Sequence, residues 1–576
     1  MRKRGGAVHV ATTRRHYKGK TYETHLLRRS YREGGKVRSE TLGNLSHLPP
    51  ELIELVRRGL AGERFLPAAG ALEIRRSLPH GAVVAVLGLL RALDLERLID
   101  RRGSRQRDLV VAMIVARLIA PGSKLATTRR WTQSTLASTM AVADATEDEL
   151  YDAMDWLLAR QERIERGLAA RHLGPGALVL YDLTSSVVEG RHCPLARHGH
   201  SRDGRPGTLQ VEYGLVTDEG GRPIAVEVVP GDTADPATVP AAVTKLRDRF
   251  GLAEVVLVGD RGMLTSARIE GLRAAGLGWI SSLRAPAIRA LALGGTLQLG
   301  LFDERGLAEI TSPEYPGERL VVCRNPLLAV ERARKRLDLL AATEARLAPI
   351  VARVEAGRLR GKDRIGLAVG RVIDHYRVAK HFGLDISDEH LGVTRRDEAI
   401  AAEAALDGLY VLRTSVPPAR LEAPDVVRAY KRLSRVERAF RGLKAVDLAV
   451  RPIHHHTEPR VRAHVFLCLL AYYLQWHLER AWAPLLFRDE ERPELPDPVA
   501  PAVRSAGALT KAHTQRLPDG TPVHSFRTLL AEMGTLTRNR VVPIGAPDEA
   551  AFDIVAIPTP LQARALKLLG LTPSSV

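Results

Sequence analysis

The chain has 576 residues, and its 85 Lys and Arg outnumber 66 Asp and Glu to give a formal net charge of +19. That length gives a prior of about four domains with several cores, and the basic excess points to a polyanionic partner, most simply nucleic acid. The widely spaced Cys193, Cys323 and Cys468 exclude a disulfide framework and a Cys-x-x-Cys zinc site, and they fit a reducing cytosol.

Aromatic residues make up only 5% of the chain, which favours contacts to a duplex backbone over stacking on single strands. No run reaches the roughly 18 apolar residues that would cross a bilayer. No apolar segment follows the Met-Arg-Lys-Arg-Gly-Gly start, as a leader would require. The expectation is a cytoplasmic, nucleoid-associated protein with no membrane partner.

Residues 1–60 alternate basic with aromatic or β-branched residues and carry a Gly34-Gly35 turn, which predicts a small basic β-hairpin unit. Residues 61–172 read as a helical domain. Leu52, Leu55, Val56 and Leu60 open the helical pattern, and its stronger segments are Val83–Leu93, Asp108–Ile119 and Glu147–Leu168. No turn in this block defines a helix-turn-helix.

After Gly174-Pro-Gly the pattern changes to strands. Residues 173–285 predict strands at Ala177–Asp182, Leu209–Thr217, Pro223–Val229, Glu254–Asp260 and Gly278–Leu283. Helices are expected at Pro236–Arg249 and Thr265–Ala275. The order is three antiparallel strands, helix, strand, helix, strand, a mixed α/β layer. Residues 286–405 interrupt that layer, with short strands around Thr296–Phe302 and Arg319–Cys323 and long charged helices over Pro326–Ala356. Residues 406–482 resume it with the apolar strand Asp407–Thr414, a helix carrying Glu437, and an apolar helix over 456–482. Residues 483–576 form a looser, Pro-rich tail with weak helices near Phe526–Met533 and Leu561–Leu569.

Two apolar strands end in a carboxylate, Asp182 after Ala-Leu-Val-Leu-Tyr and Asp260 after Val-Val-Leu-Val-Gly. Ligand groups sit at strand ends in such sheets. The helix Tyr430-Lys-Arg-Leu-Ser-Arg-Val-Glu437-Arg-Ala-Phe-Arg-Gly-Leu-Lys444 supplies the third. At about 100° per residue, Tyr430, Leu433, Glu437 and Lys444 lie within about 60° of one another. Glu437 therefore occupies a position where an amphipathic helix buries an apolar residue, a costly place for an uncompensated carboxylate. Asp182, Asp260 and Glu437 are all oxygen donors, which suits two Mg²⁺ or Mn²⁺ ions. Such a pair activates an attacking oxygen and stabilises a leaving oxygen in phosphodiester chemistry.

These residues and their order resemble the DDE transposases of bacterial insertion sequences, in the group with a Tyr-x2-Arg-x3-Glu-x6-Lys signature. The resemblance covers roughly Leu178–Leu474. It rests on Tyr181-Asp-Leu-Thr-Ser, Gly199-His-Ser-Arg-Asp-Gly-Arg205 with Gln210, Pro230-Gly-Asp-Thr-Ala-Asp235, Gly259-Asp-Arg-Gly262, the Glu437 helix, and Arg451-Pro-Ile-His through His464. It implies a ribonuclease-H-like core interrupted by an insertion domain, with Asp182, Asp260 and Glu437 as the metal triad. It also implies that Tyr430 and Lys444 touch DNA phosphate. Leu433 stands where the signature has arginine; the adjacent Arg432 points about 100° away on a helix, so Arg435 or Arg441 is the expected substitute, and the basic run that includes Arg432 reads as a DNA-backbone surface, while Arg261 after Asp260 either neutralises phosphate or pairs with a structural carboxylate.

Partners implied are the double-stranded inverted repeats at the element ends, target DNA, and a second copy of the chain. The alternatives are a metal-dependent nuclease without strand transfer and a noncatalytic, domesticated DNA-binding protein. Asp203 and Asp235, in Gly- or Pro-flanked loops, read as turn residues. The spacing of His192, Cys193, His198 and His200 does not support zinc.

Overall fold

The computed structural model describes residues 6–63, 65, 71–190, 192–297, 302–303 and 306–575. The chain divides into two compact units, Met1–Ser77 with Arg538–Ile554, and Leu78–Thr537 with Val555–Val576.

In the first unit, β1 (Ala7–Tyr17), β2 (Lys20–Glu33) and β3 (Lys36–Asn44) form an antiparallel meander. The expected hairpin, turning at Gly34-Gly35, is thus two strands of a three-stranded sheet. Both turns place two residues at positive φ, Lys18 (48°) with Gly19 (73°) and Gly34 (58°) with Gly35 (78°). That geometry matches the right-handed twist of the flanking strands. A lysine in the left-handed region disguises the first turn in the sequence. The helix Pro50–Leu60 follows, with proline in its first turn, where a missing N–H is harmless. β4 (Leu72–Pro79) then pairs with Thr537–Pro543, which pairs in turn with Phe552–Val555. Part of the tail expected to be loose is therefore sheet.

The second unit is built on nine strands. β5 (Leu178–Val187), β6 (Arg197–His198), β7 (Leu209–Asp218), β8 (Pro223–Pro230), β9 (Val256–Gly259) and β10 (Gly278–Ser282) come first. β11 (Leu307–Ile310) and β12 (Arg319–Arg324) follow. The hairpin β13 (Phe382–Ile386) and β14 (Leu391–Arg395) stands apart, and β15 (Leu409–Thr414) returns to the sheet. The order is β11-β12-β15-β10-β9-β5-β7, with β6 and β8 both on the outer edge of β7. β8, β7 and β5 are antiparallel neighbours, while β9 and β10 run parallel to β5. This is the predicted succession, including the helices Asp235–Thr244 and Ser266–Ala274 that make the parallel crossovers. The expected strand at Thr296–Phe302 falls largely outside the described residues. β11 and β12 extend the central sheet through β15.

The helix Glu458–Ala481 is apolar around most of its circumference, because it is buried on every side. It packs against β8 and against the helices Gly81–Ala92, Arg105–Ile119 and Glu147–Leu158. It therefore joins the helical layer and the sheet into one core. Among the described residues no single helix is long and apolar enough to cross a membrane; one bent pair, Arg105–Ile119 with Lys124–Gln133, meets the length and composition.

A buried ion cluster fixes the helix Gln161–His172 to β8. Lys245 Nζ lies 2.9 Å from Glu165 Oε2 and 3.0 Å from Glu227 Oε2, and it donates to the Val226 carbonyl. The Glu165 and Lys245 side chains are 1% and 4% exposed. Lys245→Met leaves a buried carboxylate without its cation. It is expected to lower unfolding free energy by about 3–5 kcal/mol, read from urea-induced unfolding.

Candidate active site

β5 and β9 pair in parallel with Tyr181 beside Gly259. Asp182 and Asp260 each follow that last pair, and Asp260, just past the end of β9, lies near enough for its charge to act on Asp182. Asp260 follows the last residue of its strand, as predicted. Asp182 does not: β5 continues to Val187, so Asp182 lies mid-strand. The antiparallel partner β7 supports this continuation, pairing as far as Val187 with Gln210.

The face that carries Asp182 also receives Glu437. Thr184, two residues on from Asp182, pairs with Tyr213 across β5 and β7. The Tyr213 ring packs edge-on against Phe440, with centroids 6.0 Å apart. Phe440 is one turn beyond Glu437 in the helix Leu433–Arg441. The predicted single helix from Tyr430 to Lys444 is in fact broken. Ala423–Lys431 ends at Arg432, Leu433–Arg441 follows, and Gly442–Val446 winds more widely as a π turn. At the break Arg432 keeps helical angles (φ −65°, ψ −17°), so the interruption is one turn residue in a nearly continuous helical path. Glu437 is exposed, whereas Lys444 is buried.

Asp260 Oδ1 accepts a hydrogen bond from the Tyr430 hydroxyl at 3.3 Å, and Ser282 Oγ lies 2.9 Å from the same tyrosine oxygen. Burial pushes the Tyr430 phenol up to about 12, so it remains a donor at neutral pH. Burial likewise pushes the Asp182 carboxyl up to about 7, and the charges of Asp260 and Glu437 add to the shift. The Leu183 N–H, which donates to Asp182 Oδ1 at 2.8 Å, and the Arg202 charge act the other way.

Among the described residues no group of three or more His, Cys, Asp or Glu side chains is close enough together to hold a metal ion. Asp182, Asp260 and Glu437 share one neighbourhood without closing on one another, as three like charges do. Their chemistry fits a hard divalent cation, because all donors are carboxylate oxygens and the Asp182 carboxyl is raised by burial and by its neighbours.

Several predicted DNA contacts have partners within the protein. Lys444 Nζ lies 2.8 Å from Asp203 Oδ1, and burial holds its ammonium below the usual lysine range. The Asp203 side chain, predicted to be a turn carboxylate, is 2% exposed and also takes Arg451. Arg432 pairs with the Glu219 carboxylate and Arg435 donates to the Glu219 carbonyl, both in the β7–β8 turn. Arg261 and Arg441 are exposed and make no ion pair among the described residues. Asp203, Ser282 and Glu219 were not legible as partners, because the residues they meet lie far away in the chain.

A cavity of about 650 Å³ opens beside this cluster. Its lining includes Arg261, Ser282, Arg289, Lys335 and Tyr376, together with the carboxylates Glu403 and Asp407. Tyr315, also in the interrupting segment, lies under the Arg413 guanidinium.

A large mixed sheet of this order, with one carboxylate in β5 and another just past the end of its parallel neighbour β9, defines a mixed α/β protein. Residues 178–474 match the family described as the Transposase DDE domain, and residues 10–69 match the IS1634 family transposase N-terminal domain. The first match spans just over half of the chain, and the chain belongs to the DDE transposases of insertion sequences, enzymes of DNA cleavage and transfer. The family generally depends on divalent metal ions. No curated protein matches the chain. A cryo-EM structure of a piggyBac transposase synaptic complex with hairpin DNA aligns with 8% identity and a TM-score of 0.32, over 79% of this chain and 76% of that one.

The raised Asp182 carboxyl has a consequence for stability. The folded state holds a proton between the ordinary 3.8 and about 7, so the metal-free protein loses stability as pH rises through that window. In chelator, Asp182→Asn is expected to exceed the wild type in unfolding free energy at pH 8 by at least about 1 kcal/mol, given about 1.4 kcal/mol per pKa unit. The advantage should vanish near pH 4. Scanning calorimetry at both pH values measures it.

Proposed function

We propose that Asp182, Asp260 and Glu437 hold two divalent ions, Mg²⁺ or Mn²⁺, with which the enzyme nicks DNA at the terminal inverted repeats of its element and joins the freed 3′-hydroxyl to target DNA. The observation that carries this reading is that the charges of Asp260, next to the Tyr181–Gly259 pair, and of Glu437, whose helix packs on Tyr213, both act on Asp182. Divalent ions bound there would activate the attacking oxygen and stabilise the leaving one.

The residues around the carboxylates have separate tasks. Tyr430, held between Ser282 and Asp260, would donate to substrate phosphate by giving up its single O–H bond to Asp260, and it is not a nucleophile, so no covalent protein–DNA intermediate forms. Arg261 and Arg441 have no acidic partner among the described residues and are the readiest backbone contacts. Arg432 and Arg435 would reach phosphate only by leaving Glu219. The basic cavity beside Asp260 carries the DNA strand away from the reacting phosphate. Residues 1–172 recognise the inverted repeats, and two copies of the chain bring two ends together.

The test uses purified protein and DNA bearing the repeats that flank its own gene, with Mg²⁺, with chelator, and with Glu437→Gln. Cleavage at the repeat ends should fall by about 10³-fold or more in both controls, the scale on which loss of a central catalytic group acts. Joined products on a target plasmid support strand transfer. Cleavage without joined products supports the nuclease alternative, and end binding without cleavage supports the domesticated one.

A further inference from the structure

We infer that Asp203 is a positioning residue: its buried carboxylate clips the segment carrying Glu437 onto the strand carrying Asp182. This rests on the metal-triad reading above and extends it to a residue outside the triad.

The problem that such a clip solves is one of connectivity. β10 ends at Ser282 and β15 begins at Leu409, so the chain leaves the catalytic layer for a long excursion before it supplies Glu437. The position of Glu437 relative to Asp182 must then be set by non-covalent contacts. The 199–205 loop provides them. Asp203 Oδ1 lies 2.8 Å from Lys444 Nζ and 2.8 Å from Arg451 Nη1, and both cations come from the chain that follows Glu437. Asp203 Oδ2 accepts from the Val187 N–H, at the end of β5, at 3.4 Å. The neighbouring Arg202 N–H donates to Ser185 Oγ, also in β5, at 3.0 Å.

One carboxylate thus ties the strand of Asp182 to two cations downstream of Glu437. The adjacent Arg202 guanidinium pairs with Asp235, at the start of the crossover helix, and lies 3.7 Å from Glu212 on β7. The loop therefore grips several elements of the layer with neighbouring side chains of opposite charge. Ser201 Oγ fixes its shape by accepting the N–H groups of Asp203 and Arg205. On this account Lys444 is occupied by Asp203 and acts through Glu437, not through DNA phosphate.

The experiment compares full-length wild type, Asp203→Asn, Lys444→Met, the double variant and Asp203→Glu. It measures affinity for repeat-end DNA, cleavage rate per folded molecule, half-saturating Mn²⁺ and melting temperature. Asp203→Asn should keep end affinity within about twofold, cut about 10–100-fold more slowly, as small misplacements of reacting groups do, and need more Mn²⁺. The double variant should be no more than about twofold slower than the worse single, because the two residues act as one unit. Where Asp203→Asn folds poorly, Asp203→Glu keeps the charge and should show the slower rate and raised Mn²⁺ requirement in a folded protein.

Two results would overturn the clip. In one, Lys444→Met weakens end binding about tenfold and its effect multiplies with that of Asp203→Asn, which marks an independent DNA contact. In the other, Asp203 variants lower only the melting temperature, leaving rate per folded molecule and Mn²⁺ requirement unchanged. Glu437→Gln, run alongside, separates the two levels: if it cuts like wild type the triad itself is wrong, and if it is dead while Asp203→Asn is normal only the clip is.

Discussion

The parallel pairing of β5 with β9 is the constraint from which the site follows. It brings the chain around Asp182 close to Asp260, just past the end of β9, near enough for the Asp260 charge to act on Asp182. Two carboxylates so placed repel, and partial burial of Asp182 sharpens the repulsion. The surroundings moderate it. Tyr430 donates to Asp260, the Leu183 N–H donates to Asp182, and the Arg202 charge acts on Asp182 from the neighbouring loop. A divalent cation would remove what remains, which is why a costly arrangement of charge is the natural reading of a metal site in this family.

The third carboxylate arrives by a different route, from a helix far along the chain. Its support is packing and ion pairing, not strand register. Phe440 against Tyr213 sets the approach of the helix to the sheet, and Asp203 with Lys444 and Arg451 fixes the chain beyond it. The buried helix Glu458–Ala481 then backs the whole layer. This division explains the exposure of Glu437: the helix presents its apolar side to the core and leaves the carboxylate at the rim, on the side that DNA would approach.

Much of this was legible in the sequence, for identifiable reasons. β5, β7, β8, β9, β10 and β15 are short apolar runs bounded by turn residues, and their order alone implied the mixed sheet. Asp182 and Asp260 stood out as charges attached to such runs. Other features depend on contacts that no local pattern carries. The break at Arg432 falls inside an unbroken stretch of good helix formers, where Arg432 turns to Glu219, more than two hundred residues earlier in the chain. Asp203 sits in a Ser-Arg-Asp-Gly segment that any turn could share, and only the tertiary fold delivers Lys444 and Arg451 to it. The return of Thr537–Pro543 to β4 joins opposite ends of the chain, a pairing that composition does not encode.

The central claim is that Asp182, Asp260 and Glu437 converge on bound metal, and iron-directed backbone cleavage tests it without relying on DNA chemistry. Fe²⁺ substituted for Mg²⁺ in the full-length protein, with added hydrogen peroxide and ascorbate, reduces the peroxide to hydroxide and a hydroxyl radical that cuts the chain near the ion, and ascorbate returns Fe³⁺ to Fe²⁺. The account predicts three cuts, near Asp182, Asp260 and Glu437, all suppressed by excess Mg²⁺ and all lost together in Asp260→Asn. Cuts confined to another segment, such as the His454–His456 run, or cuts at the three sites that survive Asp260→Asn, would contradict it.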